Sequence, residues 1–132
     1  MGVFEGVRAY ETADGGAIFR LDDHTKRLFD AASKINISIP YSIPDLTQAQ
    51  KAAMIKNNLQ EGYIRPIVFL GSESMGLRSQ DALSVNVAIA CWEWPSYMDP
   101  EAKRNGISVV KSPFQQYDNP LYSNNKIIGT YV

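Results

Sequence analysis

One cysteine and one histidine are all that the chain has of the two residue types most used to ligate zinc. Cys91 has no internal disulfide partner, and with His24 as its only companion a Cys/His zinc site is excluded. Neither sign of charge is in excess: 13 Lys and Arg against 14 Asp and Glu leave a net charge of −1. That balance gives no electrostatic footprint for nucleic acid or an anionic membrane. No apolar stretch is long enough to span a bilayer, and the opening MGVFEGVRAY is not a signal peptide. Internal repeats and low-complexity segments are missing too. What is present is an ordinary globular balance: 132 residues, 45% hydrophobic and 20% charged, enough for one domain with a real core. The expectation is a cytoplasmic protein that needs no metal, and composition carries the reading no further.

The order of elements says more. GVFEGVRAYE (2–11) alternates apolar and polar residues, TADGGA (12–17) supplies turn chemistry, and IFRL (18–21) resumes, which predicts a hairpin. A helix follows through DDHTKRLFDAASKI, capped by Asp22 or Asp23, with His24, Leu28, Ala31, Ala32 and Ile35 on one face. The prolines of SIPYSIPD (38–45) predict a loop before a second helix over 46–60, with Leu46, Ala49, Ala53 and Leu59 roughly in helical phase. GYIRPIVFLG (62–71) and SVNVAIACWEW (84–94) read as strands, DPEAKRNG (99–106) as a short helix, and GISVVKS (106–112) as a further strand. This order predicts an α+β domain, a mostly antiparallel sheet with two main helices packed on it. Both ends look cut from something longer: the first strand begins almost at Met1, and KIIGTYV is still apolar and periodic where it stops.

Several side chains have a plain reading and a chemical one. Lys126, in SNNKIIGTYV, is either a solvated amine or a nucleophile. At the ordinary value of about 10.4 an amine is protonated and cannot attack a carbonyl, and burial among apolar neighbours such as Ile127, Ile128 and Gly129 would activate it. Arg27 is either paired with Asp23 one helical turn away or a fork for a phosphate. Arg65 interrupts an apolar strand, and Pro66 beside it demands a sheet edge or an irregular point. A charge there needs a partner or a cavity. WEWPSY (92–97) is core, interface or the wall of an apolar pocket, with Tyr97 offering a hydroxyl at the rim. His24 reads as a helix-face histidine bonded to its neighbours, and Cys91 as a small apolar filler.

Taken together, VFEGVRAYET, AIFRLDDHTKRLFDAA, GYIRPIVFLG and the tryptophan-proline-tyrosine loop resemble the N-terminal part of a branched-chain amino acid aminotransferase. These are pyridoxal-phosphate enzymes of fold type IV, and the likeness runs nearly the full length. The H-x-x-R-L motif (His24 to Leu28) is shared across the wider fold type, including D-amino acid transaminases and aminodeoxychorismate lyases. The pairing of FEGVRAY with YIRP is more selective for the branched-chain group. The resemblance implies that Arg27 binds the cofactor phosphate, that Lys126 is the catalytic lysine bonded to the cofactor aldehyde, and that Tyr131 lies near the cofactor's phenolic oxygen. Phe4, Tyr63, Arg65, Trp94 and Tyr97 would line the substrate's side-chain and carboxylate sites. KIIGTY departs from the family's K-A-x-G-N-Y pattern, although Gly129 and Tyr131 keep register with it.

The resemblance further implies residues 1–122 as a small N-terminal domain lacking its first segment, and 123–132 as a linker and the start of a truncated large domain. The parent enzyme would transfer the amino group between leucine, isoleucine or valine and 2-oxoglutarate, in branched-chain amino acid biosynthesis. It would be a homo-oligomer, since members of the family are commonly dimers or hexamers, and it would bind small amino and 2-oxo acids with no nucleic acid or membrane partner. The isolated chain is expected to turn over little. Two alternatives stay open: another enzyme of fold type IV with a different substrate, or a non-catalytic α+β interaction module.

Overall fold

The computed structural model describes residues 1–74, 83–94, 96, 98–115 and 119–131. The alternating stretch at the start forms two strands, β1 (Gly2–Phe4) and β2 (Val7–Thr12), broken at Glu5 and Gly6. β3 (Gly15–Ile18) returns antiparallel with Thr12 opposite Gly15, so the turn is Ala13 and Asp14 alone. Gly15 has φ +107°, a conformation that side chains disfavour, and the Thr12 hydroxyl donates to its carbonyl at 2.7 Å.

β4 (Gly62–Leu70) is the centre of the sheet. One of its edges pairs along almost its whole length with β5 (Val85–Trp92). Since a strand has only two edges, β2 (at Gly62–Ile64) and β1 (at Ile67–Phe69) share the other. Pro66 falls at their junction, its carbonyl accepting the Glu5 amide at 3.0 Å. A proline cannot donate to a ladder, and here its missing donor meets the break between two partner strands.

Helices α1 (Leu21–Lys34) and α2 (Ile43–Lys56) cover one face of this sheet. Val3 and Val68 pack with Leu28, Ala31, Ala32 and Leu46 in one cluster, and Val7 and Ile64 with Leu21 and Met54 in the other. Burying each large side chain contributes about 1.5–3 kcal/mol. Strand pleating sends Phe4, Tyr63, Arg65 and Trp92 to the opposite face, where they are half-buried. The α+β class expected from the sequence is the class observed.

Four details depart from expectation. The N-cap of α1 is Arg20, in the left-handed region and without a side-chain cap, so Asp22 and Asp23 occupy the first turn instead. Acidic side chains there complement the helix dipole, which is why the acidic pair marks the start without capping it. Second, α2 starts at Ile43, with Pro44 in its first turn, because Ser42 and Asp45 form a capping box, and it ends at Lys56 rather than residue 60. Its buried stripe is Leu46, Thr47, Gln50 and Met54, with Ala49 exposed. Third, the fully buried Gln50 donates to the Thr25 hydroxyl at 2.9 Å, a polar seam between the helices that apolar periodicity does not reveal. Fourth, residues 106–112 form no strand: Val110 is 95% exposed and pairs with no neighbouring edge, and β-propensity without an edge makes no ladder.

The short helix α3 (Pro100–Asn105) forms as expected, its first turn capped by the Asp99 carboxylate. After it come α4 (Pro120–Ser123) and a 3-10 turn, Ile128–Tyr131. Among the described residues no helix is long and apolar enough to cross a membrane.

Candidate active site

The segment before the 3-10 turn runs along β1. Val3 bridges Ile127, and the Phe4 amide donates to the Lys126 carbonyl at 3.0 Å. Asn125 and Ile127 are both buried: Asn125 accepts a bond from Lys34 Nζ at 3.1 Å, and Ile127 joins the core beside Val3 and Leu28. With its neighbours held inward, the half-buried Lys126 directs its side chain to the other side. There Nζ lies 5.3 Å from the Phe4 ring centre and 5.4 Å from that of Tyr131. It donates to the Tyr131 hydroxyl at 3.3 Å, because the 3-10 turn brings that phenol back over the lysine. The sequence led us to expect Ile127 and Ile128 around the amine. Instead Ile127 turns into the core, Ile128 is 46% exposed, and the neighbours of the amine are aromatic. A Cβ built on Gly129 would meet open space.

From Phe4 the contacts continue across the bare face of the sheet. The Phe4 ring meets Tyr131 edge-on at 5.0 Å and has the Arg65 guanidinium 4.7 Å from its centre. Arg65 Nη2 donates to the Tyr63 hydroxyl at 2.8 Å, and the Tyr63 ring packs on Trp94 at 4.7 Å and Trp92 at 5.1 Å. Arg65 Nε is buried and has no hydrogen-bond partner among the described residues. Such an orphan donor, on a cation walled by aromatic rings, is suited to an anionic group.

Arg27 reaches the same region from α1. Asp23 is not its partner, since that carboxylate is taken by Arg20 at 2.7 Å. Arg27 instead forks onto Glu5, with Nε to Oε1 at 2.6 Å and Nη2 to Oε2 at 2.7 Å. His24 Nδ1 lies 2.9 Å from the same Oε2, which bears out the plain reading of that histidine. Burial alone would push the Glu5 carboxyl up, but the bonds from Arg27 and then His24 outweigh it and hold it below the usual carboxylate range. The same bond raises Arg27, and the Tyr131 phenol adds a smaller contribution of the same sign.

Of the expected site residues, Lys126, Tyr131, Phe4, Arg65, Tyr63 and Trp94 thus form one unbroken series of contacts. Arg27 joins it through Glu5, the chain neighbour of Phe4. Tyr97 lies outside the described residues. Cys91 packs as the expected filler, its thiol 3.3 Å from the Ala53 carbonyl. Glu5 had not been singled out, and Trp92 only as part of the WEWPSY cluster. Glu5 carried a signal, because Val3, Val7 and Ala9 mark the inward phase of the alternation and Glu5 occupies that phase. An inward charge needs a partner.

Comparison with known proteins places the chain in a family. The model of the family described as Amino-transferase class IV matches residues 2–131. The chain belongs to that family. It is 51% identical to the branched-chain-amino-acid aminotransferase of Pseudomonas aeruginosa over 133 residues, covering all of this chain and 43% of the relative. The crystal structure of the Escherichia coli branched-chain amino acid aminotransferase superposes with a TM-score of 0.72 at 38% identity, over 76% of this chain and 33% of that one. The branched-chain amino acid aminotransferase of Thermobaculum terrenum, solved in its PLP-bound holo form, gives 0.63 at 25% identity, over 72% and 32%. The chain therefore spans less than half the length of the relatives it matches. The family read from FEGVRAY, H-x-x-R-L and YIRP is the one the comparison returns.

Proposed function

We propose that this chain supplies the lysine-bearing face of a pyridoxal-phosphate transaminase acting on branched-chain amino acids, with 2-oxoglutarate as the second substrate. The observation that carries the proposal is the hold on Lys126: its main chain is bonded to Phe4, and its amine lies beside both the Phe4 and Tyr131 rings. In this reading residues 1–122 are the small domain and 123–132 lead toward the large one.

The donor set fits the cofactor. Lys126 offers the amine for its aldehyde, Tyr131 a phenol beside that amine, and Arg27 a guanidinium whose Nη1 has no hydrogen bond among the described residues. When bound, pyridoxal phosphate supplies an electron sink for charge developing at the substrate α-carbon. The chain's residues supply position and proton movement. Lys126 Nζ holds the proton taken from the α-carbon, and the Tyr131 hydroxyl, 3.3 Å away, orients that nitrogen. Arg65, with a buried donor unpaired, receives a carboxylate. Phe4, Tyr63, Trp92 and Trp94 form apolar walls suited to a branched side chain, and they limit water around the cations.

Reduction with borohydride in the presence of pyridoxal phosphate tests the reading. A pyridoxyl adduct concentrated on the Lys126 peptide, and lost in Lys126→Ala, is the expected result. Adducts spread evenly over the chain's lysines would overturn it.

A further inference from the structure

Arg27 stands on the surface of α1 with its side chain 48% exposed, yet it is held by a carboxylate that is only 1% exposed. Ordinarily a long exposed side chain samples many rotamers, and ordering it costs conformational entropy. The two parallel N–H···O bonds to Glu5 fix the plane of the guanidinium before any ligand arrives. Glu5 is itself fixed, its amide bonded to the Pro66 carbonyl at 3.0 Å. The residue before it is Phe4, which bonds the Lys126 main chain and flanks its amine. One dipeptide at the break between β1 and β2 therefore contacts both the reactive amine and the guanidinium.

We propose that Glu5 is a positioning residue: it aims Arg27 at a phosphate monoester and, through Phe4, sets how far that phosphate lies from the Lys126 amine. The proposal rests on the reading of Arg27 as the phosphate ligand. It assigns to the buried carboxylate a geometric role that outweighs the charge it cancels. A carboxylate whose only effect was to neutralise Arg27 would weaken phosphate binding, and its removal would strengthen it.

The experiment compares borohydride-fixed labelling of Lys126 by pyridoxal phosphate and by pyridoxal, in the wild-type chain and in Glu5→Gln. Comparing the ratio of the two labels between the two proteins cancels the lower intrinsic reactivity of pyridoxal. Wild type should prefer the phosphorylated aldehyde, and E5Q should lose about tenfold of that preference, the size of one charge-assisted contact, while its labelling by pyridoxal stays unchanged. Glu5→Asp should recover part of it. A preference that is unchanged or larger in E5Q overturns the positioning role and leaves the cofactor reading standing. Failure of wild type to label Lys126 selectively overturns both.

Should E5Q not fold, the wild-type chain decides alone. Its Arg27 Nε–H resonance should be resolved from the averaged arginine signal and should shift on adding inorganic phosphate. An averaged resonance that phosphate does not move refutes the proposal.

Discussion

The Phe4 amide donates to the Lys126 carbonyl at 3.0 Å, and the ring of the same residue lies 5.3 Å from the lysine Nζ. Main chain and side chain of one residue thus hold one lysine twice. Phe4→Leu separates the two, because the amide bond survives while the ring contacts with Nζ and Tyr131 are lost. These contacts are each worth about 0.5–1 kcal/mol. Pyridoxal phosphate should therefore still label Lys126 in F4L, with the yield at limiting reagent down by about fivefold to thirtyfold. Equal yields by quantitative peptide mass spectrometry would rule out a role for the ring.

A second expectation concerns Gly6. A Cβ built there would overlap the Tyr63 hydroxyl, the same oxygen that accepts the bond from Arg65. In Gly6→Ala the tyrosine ring has to move, and Arg65 loses its partner. Overpacking of this kind costs about 1–3 kcal/mol. The near-ultraviolet circular dichroism of the Tyr63, Trp92 and Trp94 cluster should change, with a lower urea midpoint. An unaltered aromatic spectrum would show that the space at Gly6 is not needed.

Acid should weaken the protein in a way that depends on Glu5. Its carboxyl is held below the ordinary value of about 4.3, against burial, by Arg27 and His24. The unfolded chain therefore takes up that proton at a higher pH than the folded one does. The stabilisation is complete above the unfolded value and is lost as the pH falls through the folded one. The difference in unfolding free energy between wild type and E5Q should shrink as the pH is lowered from about 5 toward 3. A difference that stays constant over this window would mean that Glu5 is not depressed.

How much of this was legible in advance depended on whether the cause lay near in sequence. The alternation of Val3, Val7 and Ala9, and the branched run of β4, identified the sheet because burial on one face writes a period of two. Leu28, Ala31 and Ala32 did the same for α1 at the helical period. The start of α2 was missed because Pro40 and Pro44 read as breakers, whereas Pro44 stands in the first turn that Ser42 and Asp45 cap. Gly106–Ser112 has the propensity of a strand, but pairing needs an edge, and that is a tertiary property. In the site, the family's motif residues were named from resemblance; the inward phase of Glu5 was legible, but its partner became visible only when α1 was folded across β1. Its bond to Arg27 spans 22 residues, and no local pattern reports that.

The last expectation uses a reporter already in the protein. Trp92 and Trp94 pack on Tyr63, whose hydroxyl holds Arg65, so a carboxylate arriving at the buried Arg65 Nε should perturb indole emission. Titrating the chain with 2-oxoglutarate or 4-methyl-2-oxopentanoate should change tryptophan fluorescence saturably. Arg65→Gln keeps a polar side chain but removes the charge, and a charge-assisted bond is worth about 1.5–3 kcal/mol. Its loss should weaken the response by roughly tenfold to a hundredfold in concentration. Acetate at equal ionic strength should give a smaller change, because it leaves the aromatic walls unfilled. A response in R65Q equal to that of wild type would place the carboxylate elsewhere, whereas one that vanishes with Lys126→Ala instead would trace it to chemistry at the amine.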